Sequence, residues 1–97
     1  MLTIEAGEGG TVALRGRLDA AQAGSAQAAL DKLQGSVTLD LAALEYISSA
    51  GLGVLLKTQK RLMATGGKVR LAGVGAHLRD IFVYSGFDQL FEIEAAK

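Results

Sequence analysis

The run Leu44-Glu45-Tyr46-Ile47-Ser48-Ser49-Ala50-Gly51-Leu52-Gly53 places two hydroxyls and two glycines at the first turn of the longest helical pattern in the chain. Upstream, Ser36 to Leu41 (SVTLDL) is short, β-branched and apolar, the character of a central, largely buried strand. Downstream, Leu52, Leu55, Leu56, Leu62 and Met63 recur at helical spacing, Lys57, Lys60 and Arg61 fall on the other side, and Gly66-Gly67 closes the segment. The run itself reads as the loop that joins strand to helix.

The same grammar extends outward in both directions. Leu2 to Ala6 alternates apolar and polar residues, Gly7 to Gly10 forms a turn cluster, and Thr11 to Leu18 alternates again. Asp19 is placed to cap a first helix that carries Ala23, Ala26, Leu30 and Leu33 on one face and stops at Gly35. Beyond the second helix, Lys68 to Ala72 alternates as a strand, Gly73 to Gly75 turns the chain, Leu78, Ile81 and Phe82 mark a third helix ending at Gly86, and Phe91 to Glu94 supplies a last strand. Later strands joined by helices pair in parallel. The expected fold is α/β: a single small domain over residues 1–97, with a mixed, mostly parallel sheet and helices packed against it.

Composition narrows the function. With 97 residues, 49% of them apolar and 21% charged, the chain suits one globular domain. Ten basic residues cancel ten acidic ones, so no broad positive field exists to hold nucleic acid. Without cysteine there are no disulfides, thiolate metal sites or thiol nucleophiles, and a reducing compartment is acceptable. No apolar run reaches the roughly 20 residues of a membrane span, and MLTIEAGEGG lacks the regions of a signal peptide, so no membrane insertion and a cytoplasmic location are expected.

The helix start at Ser48 and Ser49 admits two readings that share one geometry. A helix N-terminus presents unpaired N–H groups and partial positive charge, so a serine there caps the helix and a phosphate there is stabilised. On the plainer reading, Ser48 or Ser49 is only a cap, and Gly51 and Gly53 only allow tight packing of helix on sheet. A nucleotide cradle is disfavoured: no G-x-x-x-x-G-K-[ST] run exists, and Gly73-Val74-Gly75-Ala76-His77-Leu78 lacks the third glycine of a dinucleotide fingerprint. Hydrolase chemistry is disfavoured too, because Ile47 and Tyr46 stand where a nucleophile elbow needs glycine. His77 is the single histidine, expected to face solvent or cap the third helix. Asp19 and Asp40, both near strand ends, are expected to cap a helix and to satisfy a loop backbone rather than to form a carboxylate pair. No cofactor, metal site or catalytic residue is expected.

Gly16-Arg17-Leu18-Asp19, Leu39-Asp40-Leu41, Tyr46-Ile47-Ser48-Ser49-Ala50-Gly51-Leu52-Gly53 and Gly86-Phe87-Asp88 with Leu90-Phe91 together resemble the STAS family of anti-sigma-factor antagonists over almost the whole chain. The resemblance implies a non-enzymatic, partner-switching module that sequesters an anti-sigma factor serine kinase and so releases a sigma factor, with a serine phosphatase resetting it. It implies Ser49 as the phosphorylated residue, Asp19 as the acidic residue beside it, and Asp19, Ser48, Ser49, Ala50, Gly51, Leu52 and Gly53 as the partner-binding set, in a monomer or weak homodimer. The residue before the acceptor is Ser48, where the family commonly has Asp. Many members continue into another helix after the last strand, so Phe91 and Ile93 are expected to be more exposed here, or covered by another subunit. The alternative is a non-phosphorylated STAS subunit of a larger assembly, a signalling scaffold or a lipid-transport complex.

Overall fold

The structure, a computed structural model, describes residues 1–95; the last two residues of the expected domain lie outside the described residues. Strands β1 (Leu2–Ala6) and β2 (Thr11–Leu18) form an antiparallel hairpin. Helix α1 (Ala20–Leu30) leads to β3 (Val37–Asp40), which lies between β2 and β5 (Val69–Val74) and is parallel to both. Helix α3 (Ala76–Ser85) and a 3-10 turn at Phe87–Gln89 then deliver β6 (Glu92–Ala95) parallel to β5. The spatial order β1-β2-β3-β5-β6 bears out the expected central strand and the mostly parallel sheet.

One element departs from expectation. Leu44–Ile47, read from sequence as loop, is a strand, β4, parallel to β2 at Gly16–Leu18. It lies along the same edge of β2 as β3, which pairs with Thr11–Ala13, so β3 and β4 are successive halves of one interrupted edge. The interruption explains why alternation failed: β4 buries Leu44 and Ile47, three residues apart, beside a register shift at Gly16. The extra residue of that shift, Glu45, belongs to β4. Gly16 has φ +95, and a Cβ there would collide with the Met1 carbonyl oxygen on the β1 side, so this position requires glycine.

Each strand buries one face. Ile4, Leu14, Val12, Leu39, Leu71 and Ile93 fall in register on the side that all three helices cover. The other face presents Thr3, Arg15, Thr38, Arg70 and Glu92 to solvent, so even β3 is buried on one side only. On that face Arg15 meets Glu5 and Arg70 meets Glu94. Lys68 Nζ donates to Glu92 Oε1 at 2.6 Å, which holds the Glu92 carboxyl below the usual carboxylate range.

Helix α2 (Ser49–Met63) packs beside α1 and over the sheet. It buries Leu55 and Leu62 as expected, and also Val54, Thr58 and Gln59; Met63, placed on the apolar face from sequence, is 59% exposed. Gln59 bridges two elements: its Oε1 accepts from Val69 N–H at 2.6 Å and its Nε2 donates to the Leu90 carbonyl at 2.7 Å. Arg61 Nη2 donates to the Leu30 and Leu33 carbonyls, at 2.9 and 2.7 Å, which satisfies acceptors left open where α1 ends. Helix α1 stops at Leu30 rather than running to Leu33: Asp31 is its C-cap, and the Lys32 and Leu33 N–H groups turn back to the Ala29 and Leu30 carbonyls. Phe91 is buried beside the ring of Phe87, centroids 6.0 Å apart, against the expectation that it would be more exposed; Ile93 is half-buried.

Candidate functional site

The starts of α2 and α1 lie side by side because both follow strands that pair with each other. The Ser48 N–H donates to the Leu18 carbonyl at 2.9 Å, which ties the start of α2 to the end of β2, one residue from Asp19. Asp19 caps α1, its carboxylate accepting from Gln22 N–H at 3.2 Å. Asp40 lies at the level of Ala13 in the neighbouring strand and accepts from Ala42 N–H at 3.0 Å. The two carboxylates thus take the separate backbone roles expected of them.

Within the first turn of α2, the side chains divide into inward and outward sets. Ser48 is the cap: it has extended backbone, φ −93 and ψ 174, and its Oγ accepts from Gly51 N–H at 3.2 Å. Ser49 is the first helical residue and is exposed, and its hydroxyl makes no hydrogen bond among the described residues. The cap and the free hydroxyl are therefore different residues, which the sequence left open. Ala50 is exposed beside it. No acidic residue occupies this turn, so its partial positive charge is uncompensated by side chains.

The two glycines also divide. Gly51 is buried, and a Cβ there would lie 2.7 Å from the Leu18 carbonyl oxygen and 2.8 Å from side-chain carbons of Ile47 and Leu18. At Gly53 a Cβ would meet nothing within 4 Å. Tight packing of helix on sheet accounts for Gly51 and not for Gly53. Of the residues expected to meet a partner, Ser49 and Ala50 are exposed, Asp19, Ser48, Leu52 and Gly53 are half-buried, and Gly51 faces inward.

Sequence reasoning did not anticipate the groove that opens beside Ser49. It has a volume of about 460 Å³ and runs between α2 and α3, lined by Ser49, Leu52, His77, Asp80, Ile81 and Tyr84 among others. His77 is exposed on the second residue of α3, whose N-cap, Gly75, offers no side-chain cap. The available signal was an excess of apolar residues on α3: Ile81, Val83 and Tyr84 together exceed what one buried face holds. Among the described residues, no group of three or more His, Asp or Glu side chains is placed to hold a metal ion, and no helix is long and apolar enough to cross a membrane.

A family model described as the Mlab, STAS domain matches residues 1–92. The chain belongs to the STAS family. It is 38% identical to BtrV of Bordetella bronchiseptica, which is named as an anti-sigma factor antagonist, over 95% of this chain and 84% of that protein. Its fold superposes on the phosphorylated form of the Bacillus cell fate determinant SpoIIAA with a TM-score of 0.72, at 21% identity, covering 100% of this chain and 93% of that one. It superposes on a sulfate transporter family protein of Wolinella succinogenes with a TM-score of 0.76, at 18% identity, covering 87% and 74% of the two chains. By homology this STAS domain falls among the anti-sigma factor antagonists.

Proposed function

We propose that this STAS domain is a phosphorylation-controlled antagonist that sequesters an anti-sigma factor serine kinase through the first turn of α2, releasing a sigma factor from the same partner. The observation that carries the reading is the division of labour between the two serines: Ser48 holds the helix, which leaves the Ser49 hydroxyl exposed and uncommitted. A kinase acceptor needs an accessible hydroxyl, and Ser49 offers one while the Ser48 oxygen is already engaged by Gly51 N–H. BtrV's name and the existence of a phosphorylated SpoIIAA structure support the same reading.

The chain contributes an acceptor and a surface and performs no catalysis of its own. The Ser49 oxygen attacks the γ-phosphorus of ATP held by the partner, its proton passes to a base of the partner, and ADP leaves. Hydrolysis by a separate serine phosphatase returns the hydroxyl and inorganic phosphate. The phosphate adds about 1.5 to 2 negative charges, which the helix N-terminus tolerates and stabilises by about 0.3 to 1 kcal/mol, while a fitted interface beside Asp19 does not. A penalty of about 3 kcal/mol is a hundredfold loss of affinity, so the fold survives while the complex dissolves. A cytoplasmic location follows from this role.

The test is to incubate the protein with a purified anti-sigma kinase and ATP and to map the product by mass spectrometry. One phosphate on Ser49, absent in Ser49→Ala, is the expected result; a phosphate on another residue, or none, contradicts it. The second reading, a non-phosphorylated STAS subunit of a scaffold or lipid-transport complex, draws on the transporter-family fold neighbour and on Ser48 standing before the acceptor. Under that reading Ser49 remains unmodified and co-purifies within the larger assembly.

A further inference from the structure

The groove between α2 and α3 leaves apolar surface open to solvent: Leu52 and Ile81 pack against the core on one side only. Leu52 and Ile81 are half-buried and form its floor, while Tyr84 stands at its wall and is 96% exposed. A tyrosine in that state loses little by being covered and gains the burial of a large, rigid ring, which is why such residues dominate the energetics of protein interfaces. The groove is also continuous with Ser49, which lines its end. Any kinase that reaches the Ser49 hydroxyl must cover this mouth.

Charge settles what fits. Asp80 is the single carboxylate lining the groove, it is exposed, and it forms no ion pair among the described residues. No lysine or arginine lines the groove, and His77, the one basic side chain in its lining, forms no ion pair with Asp80 among the described residues. The other surface rich in charge, the open face of the sheet, is already satisfied by its own pairs between Arg15 and Glu5, Lys68 and Glu92, and Arg70 and Glu94.

We propose that the α2–α3 groove is the selectivity pocket of this antagonist, receiving from the anti-sigma kinase an apolar side chain flanked by a lysine or arginine that meets Asp80. The inference rests on the reading of Ser49 as the acceptor. It adds that the choice of kinase is made by Tyr84, Ile81 and Asp80 on α3, whereas the phosphate on Ser49 only switches the complex off. The partner's basic residue beside Asp80 also explains how one surface rejects the wrong kinase: an acidic residue there would face a like charge.

The experiment measures affinity of the purified anti-sigma kinase for unmodified wild-type protein, Tyr84→Ala and Asp80→Lys by calorimetry, and separately the KM and kcat for phosphate transfer to Ser49. Because Tyr84 and Asp80 are exposed, both variants should keep the wild-type thermal midpoint, which is checked first. The expected result is binding weaker by about tenfold or more in Tyr84→Ala, a KM raised in step with kcat little changed, and a loss in Asp80→Lys that shrinks as salt is added. Unchanged affinity in both variants, with Ser49 still phosphorylated, overturns the pocket and leaves the switch standing. Weakened binding by Tyr84→Ala, with no phosphate on wild-type Ser49, upholds the pocket and overturns the switch. Absence of any binding by the wild-type protein overturns both.

Discussion

The two ends of α2 are built to opposite rules. In its C-terminal half, polar side chains turn inward and are consumed by the fold: Thr58 bonds the Val54 carbonyl, Gln59 joins β5 to the carbonyl of Leu90, and Arg61 closes α1. In its first turn Ser48 caps the helix and Gly51 and Leu52 pack inward, while the exposed Ser49 hydroxyl makes no hydrogen bond among the described residues and a Cβ at Gly53 would meet nothing within 4 Å. The contrast teaches how a helix becomes a presenting device. Anchoring at the far end and at one residue of the near end fixes the axis, so the remaining groups of the first turn are held in place without being used. A rigid mount costs a partner less ordering entropy on binding than a mobile loop.

Substitutions that break this contrast have graded consequences. The largest effect is expected for Gly51→Val, whose branched side chain would be driven into the Leu18 backbone: destabilisation of about 3 kcal/mol, read by urea unfolding. Gln59→Leu keeps the volume but strands the Val69 N–H and the Leu90 carbonyl, and an expected loss of about 2 kcal/mol is read in the same way. Ser48→Ala removes the cap and costs about 1 kcal/mol, while Ser49→Ala leaves stability within about 0.5 kcal/mol. Equal losses for the two serines would erase the division between them. The smallest effect has the opposite sign. Gly53→Ala meets open space and replaces a poor helix former with the best one, so it stabilises the fold by about 0.5 to 1 kcal/mol while weakening kinase binding if Gly53 lies under the partner.

Legibility in the sequence follows the same physical divide. Strands with an uninterrupted period of two, β1 and β2, were readable residue by residue, and Gly86 correctly ended the third helix, whereas the first ends at Leu30, short of the expected stop at Gly35. β4 was hidden because an extra residue, Glu45, opposite Gly16 and Arg17 breaks its register and leaves Leu44 and Ile47 out of alternation. Met63 was misplaced because helical spacing alone does not say how far the sheet extends beneath the last turn. The crowded helix start at Ser48 to Gly53 was legible as a candidate site, since hydroxyls and glycines at a cap are local signals. Which serine caps and which glycine packs was not, because both depend on Leu18 and Ile47 arriving from other strands. The groove on α3 was invisible for the same reason: Ser49 and Tyr84 meet only in three dimensions.

In the proposed function Ser49 carries the switch while Ser48 carries the helix, and phosphorylation of Ser49 alone separates the two roles. The affinity of the purified anti-sigma kinase is measured for unmodified protein and for protein phosphorylated at Ser49, with thermal unfolding followed on both. The expected outcome is an affinity lower by about a hundredfold in the phosphorylated form, with a thermal midpoint equal to or slightly above that of the unmodified protein. Affinities that agree within twofold, or a phosphorylated form that unfolds at markedly lower temperature, would contradict it.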